Sequence, residues 1–380
     1  MFPGNNNAAS SGGRRDLGTS TTSSAVSRLH AFGQSIWLDD ITRDLLDSGT
    51  LERYIAEFSV TGLTSNPTIF DHAIKNGSSY DSDIRNLLAS VPGHEALLFE
   101  LIVHDLSRAA DLFLPTHRRT ATVDGWVSLE VSPLLARDTK GTVQSARVLF
   151  EKAGRKNLFI KIPGTREGLP AIEESIFNGV PINVTLLFSS AQYAAAADAY
   201  MKGLERRIEA GRSPDIRSVA SIFVSRWDVA VAKTVPGSLK NKLGLAIGQL
   251  AYATYFDLLN SDRWQALEGF GARPQRLLFA STGTKDPEAS DVLYVEGLTA
   301  PNTVNTMPQA TLMAFAEHGT IGAAPSRDVR DATARLGDFQ KAGIDLSALA
   351  EKLQRDGADS FTHSWQDLLN TIETKSLSLK

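Results

Sequence analysis

Lys161 is enclosed by apolar residues in the run Leu158–Ile162, with Ile160 before it and Ile162 after it. An amine placed this way either snorkels to water or sits in a dry site, where desolvation favours the neutral, nucleophilic form. Carboxylates stand at Asp39 and Asp40, after Trp37 and Leu38, and at Glu130, which alternates with Ser128 between Val127, Leu129 and Val131. At a strand period of two, Ser128 and Glu130 share a face. Asn183 and Thr185 repeat that spacing within Ile182–Leu187, and Ser221 lies in Ser218–Val224 with Arg226 just beyond. Ser281, Thr282, Gly283, Thr284 and Lys285 follow the run Arg276–Ala280. Each residue alone has a structural reading: Asp39 and Asp40 as helix caps, Asn66 before Pro67 as a turn, Glu130 as an ion-pair partner. Together they read differently. A nucleophilic amine, carboxylates for proton transfer and basic groups for a phosphate point to Schiff-base aldol chemistry on a phosphorylated sugar.

Chemistry drawn from so many segments needs a scaffold that gathers their ends. Short apolar and β-branched runs recur at Ser35–Leu38, Ser59–Leu63, Val127–Val131, Leu158–Ile162, Ile182–Leu187, Ser218–Val224, Arg276–Ala280 and Val292–Val295. Between them, Ile41–Phe58, His94–Leu114, Ser189–Ala210 and Leu239–Asn260 carry helical periodicity, and the region Ser347–Thr374 predicts at least two further helices. Gly49 interrupts the first of these. The 62 residues of 65–126 are too many for one crossover and call for two or more helices plus a loop. Eight strands alternating with helices predict an α/β fold, a single (β/α)8 TIM barrel with extra helices over residues 25–380; an open doubly wound sheet is the alternative. A barrel requires its chemistry at the C-terminal ends of the strands, which is where the polar residues above fall. Residues 1–24, rich in Ser, Asn, Gly and Thr, read as a flexible N-terminal extension.

Composition narrows the classes. With no cysteine among 380 residues, disulfides, thiolate metal sites and a cysteine nucleophile are excluded. A net charge of -4 gives no footprint for nucleic acid, and no apolar run approaches the roughly 18–20 residues needed to span a bilayer. The 7 histidines show no metal-ligand spacing, and no glycine-rich fingerprint opens a helix after a strand, so neither metal nor cofactor is expected. Cytoplasmic residence is the expectation. Arg14 and Arg15 in a Ser-rich segment with one acid, Asp16, keep organelle targeting as the alternative. Monomer and homodimer are both compatible with the sequence.

The strings themselves resemble transaldolases, particularly the longer bacterial type. The resemblance runs through FGQSIWLDDITRDLL, GLTSNPTIF, VSLEVSP, LFIKIPGTREGLPAI, INVTLLFS, SVASIFVSRWD, FASTGTKDP and LYVEGLTAPNTVNTMP, in order, over roughly residues 30–310. It implies a cofactor-free transferase of the non-oxidative pentose phosphate pathway. Such an enzyme moves a dihydroxyacetone unit from sedoheptulose 7-phosphate to glyceraldehyde 3-phosphate, giving erythrose 4-phosphate and fructose 6-phosphate. By the same resemblance Lys161 is the Schiff-base lysine, and Glu130, with a water near Thr185, shuttles protons. Asp39 exchanges the C4 hydroxyl proton. Asn66, Asn183 and Ser221 hold substrate hydroxyls, Ser128 helps set the site, and Arg226, Ser281 and Lys285 bind phosphate. Two positions depart from the family pattern: Gly164 stands where alanine is common, and Lys285 where some members have arginine. A fructose-6-phosphate aldolase-like activity, releasing free dihydroxyacetone, is the nearest rival; Phe223 favours transfer, because phenylalanine offers no hydrogen bond to a hydrolytic water. A catalytically dead sugar-phosphate-binding barrel is the reading from a different class.

Overall fold

The computed structural model describes residues 24–324 and 328–380. Within them eight parallel strands close on themselves in sequence order: β1 (Gln34–Leu38), β2 (Val60–Thr64), β3 (Trp126–Glu130), β4 (Leu158–Pro163), β5 (Ile182–Leu187), β6 (Ser218–Phe223), β7 (Gln275–Ala280) and β8 (Thr303–Met307). Every strand pairs in parallel with its neighbours, and β8 returns to β1, so the sheet is a (β/α)8 barrel. The register puts Glu130, Lys161 and Asn183 side by side on β3, β4 and β5. That level is already fixed before any side chain is considered.

Seven of the expected strands are present within one or two residues of their predicted ends. The eighth is not. Val292–Val295 lies at the start of a short helix, Leu293–Gly297, and the last strand is Thr303–Met307. A brief apolar run fits a buried helical turn as well as a buried strand. The true β8, Thr-Val-Asn-Thr-Met, hides its identity because Thr303, Asn305 and Thr306 are buried polar residues of the barrel.

Helices follow their caps. Thr42 caps Arg43–Asp47, Asn66 caps Pro67–Asn76, Asp138 caps Thr139–Ala153 and Ser189 caps Ser190–Glu209, each through a side-chain oxygen that accepts a free first-turn N–H. Gly49, in the left-handed region at φ 71°, separates Arg43–Asp47 from Thr50–Glu57 as its position suggested. The 65–126 gap holds three helices, Pro67–Asn76, Asp81–Leu87 and His94–Arg119. Buried Arg43 joins this insertion together, donating to Asp105 at 3.0 and 2.8 Å while its guanidinium lies 4.5 Å from the Tyr80 ring. The C-terminal region corrects the expectation of two or more helices over Ser347–Thr374: it is one continuous helix, Leu346–Ser378, capped by Asp345. Arg330–Lys341 is a separate helix before it.

The lower end of the barrel is plugged. Arg276 donates to Ser35 Oγ at 2.6 Å and to Thr303 O at 2.8 Å, and pairs with Asp124 at 3.2 Å. Ser35 Oγ in turn donates to Asp124 Oδ2 at 2.8 Å. Among the described residues no helix is long and apolar enough to cross a membrane. The expected extension lies outside the described residues except for Ser24, which caps the helix Ala25–Phe32.

Candidate active site

Lys161 lies in β4 among Leu158, Phe159, Ile160 and Ile162, all buried, and its own side chain is 7% exposed. Its Nζ donates to the carbonyl of Ser65 at 3.1 Å and lies 3.4 Å from Glu130 Oε1, within ion-pair reach but outside hydrogen-bond geometry. Burial pushes the Glu130 carboxyl up; the charge on Lys161 offsets this in part, and that on Asp39 adds to it. A carboxyl held toward its neutral form beside an amine can deliver a proton as well as take one.

Thr185 follows two residues after Asn183 on β5, with a buried Oγ1 that meets no hydrogen-bond partner among the described residues. The chain bulges immediately afterwards. Leu186 has φ 60°, and the pairing of β5 with β6 shifts register between Val184 and Leu187. Behind this wall Ser221 Oγ donates to Asn183 Oδ1 at 2.7 Å, and Asn183 Nδ2 donates to Ser128 Oγ at 3.1 Å. Ser128 and Asn183 are completely buried, so they brace the lining from beneath, whereas Ser221 reaches the cavity.

Lining the same cavity as the lysine, Asp39 just after β1 accepts from Thr64 Oγ1 at 2.7 Å, and Thr64 meets Thr306 at 3.0 Å. Neither aspartate caps the next helix, contrary to the structural alternative: Thr42 does so. Asp40 is left with an Oδ1 that has no partner among the described residues, and burial together with Asp39 pushes its carboxyl up to about 6. Asn66 has two duties. Its Oδ1 caps Pro67–Asn76 by accepting from Thr68 N at 3.0 Å, and the residue also lines the cavity.

The far end of the cavity is basic. Arg226 follows β6 and has no carboxylate within ion-pair range among the described residues; burial lowers its affinity for a proton. Its guanidinium carbon lies 5.1 Å from the Phe223 ring and 6.0 Å from that of Phe361. Ser281, strained at φ 56° at the end of β7, shares a 2.9 Å hydrogen bond with Ser225. Lys285 is exposed at the rim of the same cavity. An unpaired guanidinium, two hydroxyls and a rim ammonium can hold a phosphate.

The roof was not legible in advance. The helix Leu346–Ser378 crosses the barrel mouth, and a cavity of about 1050 Å³ lies between it and the strand ends. Gln354 from this helix donates to Gly164 O and to Leu186 O, both at 3.0 Å, tying together the chain just after β4 and the bulge of β5. Gly357 allows the close approach: a Cβ there would lie 2.9 Å from Leu186 and 3.3 Å from Arg226 Nη1. Phe361 lies over Lys161, with its ring centre 5.8 Å from Nζ. Trp365 anchors the next turn by donating to Glu95 at 2.8 Å. The expected residues thus converge on one cavity or directly behind its wall. Those that sequence reasoning missed are Ser225, the Ser65 carbonyl, Gln354 and Phe361.

A model of the family described as Transaldolase/Fructose-6-phosphate aldolase matches residues 36–372, from β1 through the roof helix. A transaldolase of Thermobifida fusca (strain YX) is 47% identical over 358 residues, covering 92% of this chain and 97% of that protein. A transaldolase of Saccharopolyspora erythraea is 45% identical over 359 residues, covering 93% and 98%. Transaldolase 2 of Nostoc punctiforme is 40% identical over 365 residues, covering 90% and 95%. With the barrel, the buried lysine and matches of this extent in agreement, the chain belongs to the transaldolase/fructose-6-phosphate aldolase family.

Proposed function

We propose that this chain is a transaldolase of the non-oxidative pentose phosphate pathway. It would carry a dihydroxyacetone unit from sedoheptulose 7-phosphate to glyceraldehyde 3-phosphate, leaving erythrose 4-phosphate and forming fructose 6-phosphate. Lys161 Nζ attacks the ketose C2 carbonyl to give a carbinolamine. Glu130, relayed through a water at Thr185, protonates the departing hydroxyl, and the iminium forms as water leaves. Asp39 then takes the C4 hydroxyl proton. The C3–C4 bond breaks, its electrons pass into the iminium, and the shortened aldose departs, with the three-carbon enamine still held on Lys161. The acceptor aldehyde bonds to the enamine carbon, its oxygen recovers the proton from Asp39, and water hydrolyses the new iminium to free the product and the amine.

Ser221 and Asn66 hold substrate hydroxyls, Asn183 and Ser128 keep Ser221 in place, and Arg226, Ser281 and Lys285 take the phosphate. The observation that carries this reading is the buried lysine paired with Glu130 beneath a cavity whose other end holds an unpaired arginine. Sodium borohydride added with fructose 6-phosphate tests it. A substrate-dependent adduct on Lys161, read by peptide mass spectrometry, is the expected result. Folded protein without an adduct leaves only a sugar-phosphate-binding barrel, and an adduct on another lysine discards the β4 assignment. Assay of free dihydroxyacetone separates transfer from the aldolase-like release.

A further inference from the structure

The proposed reaction has a fork after carbon–carbon cleavage. In transfer, the enamine carbon bonds to the acceptor aldehyde. In release, that carbon takes a proton from water, which restores the iminium. A second water then adds at C2, Nζ leaves as the amine, and free dihydroxyacetone departs. Both branches use the same lysine, so water's access to the enamine carbon decides between them.

The roof helix covers the site above Lys161, and Phe223 of β6 lines the same cavity. Phe361, 9% exposed, is the aromatic residue it places over Lys161 Nζ at 5.8 Å. The same ring faces Arg226 at 6.0 Å, and Phe223 faces that guanidinium at 5.1 Å. Among the described residues no carboxylate lies within ion-pair range of Arg226, although the charge on Asp39 reaches it; the two ring faces flank the guanidinium and leave its N–H donors free. Phe361 therefore faces both the lysine and the arginine. Its segment is clamped on either side, by Gln354 through the carbonyls of Gly164 and Leu186 and by Trp365 through Glu95.

We propose that Phe361 is a specificity-determining residue, walling water off from the enamine on Lys161 and holding Arg226 ready for the substrate phosphate. The proposal rests on the Schiff-base reading above. Its two parts call on different properties of the ring: exclusion needs apolar bulk, whereas the hold on Arg226 needs an aromatic face.

Wild type, Phe361→Leu and Phe361→Ala separate them. Each is first trapped with borohydride and fructose 6-phosphate. Each is then assayed for free dihydroxyacetone against transfer to erythrose 4-phosphate. In Phe361→Ala the ratio of release to transfer should rise about tenfold or more, since a void at the wall admits water. In Phe361→Leu that ratio should stay within about threefold of wild type, while KM for fructose 6-phosphate rises roughly three- to tenfold in both variants as the cation–π contact is lost. Trapped Phe361→Ala with ratio and KM within about twofold of wild type overturns the proposal and leaves the Schiff base standing. No adduct in wild type overturns the Schiff-base reading itself. Should Phe361→Ala not fold, an unchanged KM in folded Phe361→Leu is sufficient to overturn the role assigned to the ring.

Discussion

Asp40 is a carboxyl that the fold keeps at a cost. Burial first, and the neighbouring Asp39 second, raise it from 3.8 to about 6. The folded state thus binds this proton more tightly than the unfolded chain does. The group favours the fold below about pH 4, and that contribution is lost as pH rises through about 6. Asp40→Asn should therefore be more stable than wild type at about pH 7.5, by up to about 3 kcal/mol, with the gap shrinking toward pH 4. Urea unfolding at several pH values reads this directly, and a gap independent of pH contradicts it. Residue types and spacing exposed much of the site at this scale. Lys161, Glu130 and Thr185 follow from a lysine in an apolar strand and a strand period of two. Which of two adjacent aspartates faces Thr64, and the fact that Thr42 takes the cap, depend on how the chain turns after β1. The two alternatives differ by one residue, below what periodicity resolves.

At the scale of elements, seven strands and most helices announce themselves through alternation and amphipathic spacing. β8 does not, because a barrel interior accepts Thr303 and Asn305 where a sandwich core would demand aliphatic residues. The roof helix is one element where two or more were expected, and Gly357 in its midst is a point of close approach to Leu186 and Arg226. Gln354 is similarly silent in sequence, since its partners are backbone carbonyls that any residues could supply. Its replacement by alanine would leave the carbonyls of Gly164 and Leu186 without that donor. Gln354→Ala is expected to cost about 1–3 kcal/mol and to raise amide exchange around residues 164–168 and 186–189, with kcat falling alongside. Protection unchanged in those segments would show that the clamp carries no strain from the bulge.

For the whole molecule, the barrel separates its labours between two ends. The upper end collects the lysine, the carboxyls and the basic groups; the lower end is stapled by Arg276, Asp124 and Ser35. Arg276→Ala strips a largely buried carboxylate of its partner and should destabilise the protein by about 3–5 kcal/mol. Below the unfolding transition kcat and KM should stay within about twofold of wild type, because the upper face is untouched. A thermal melt paired with steady-state kinetics measures both, and a large loss of kcat at a temperature where the variant is folded would refute the division.

The roof has a consequence in time as well as in space. Asp39 leaves the ribosome early and Phe361 close to the end of the described chain, with Lys161 between them. All eight strands precede the roof helix in the chain, so they emerge while the mouth still lacks its cover. If Phe361 governs the fork, a barrel folded at that stage would cleave ketose phosphates wastefully before it could hand anything on. Late arrival of the helix Leu346–Ser378 would then mark the moment when a hydrolytic barrel becomes a carrier.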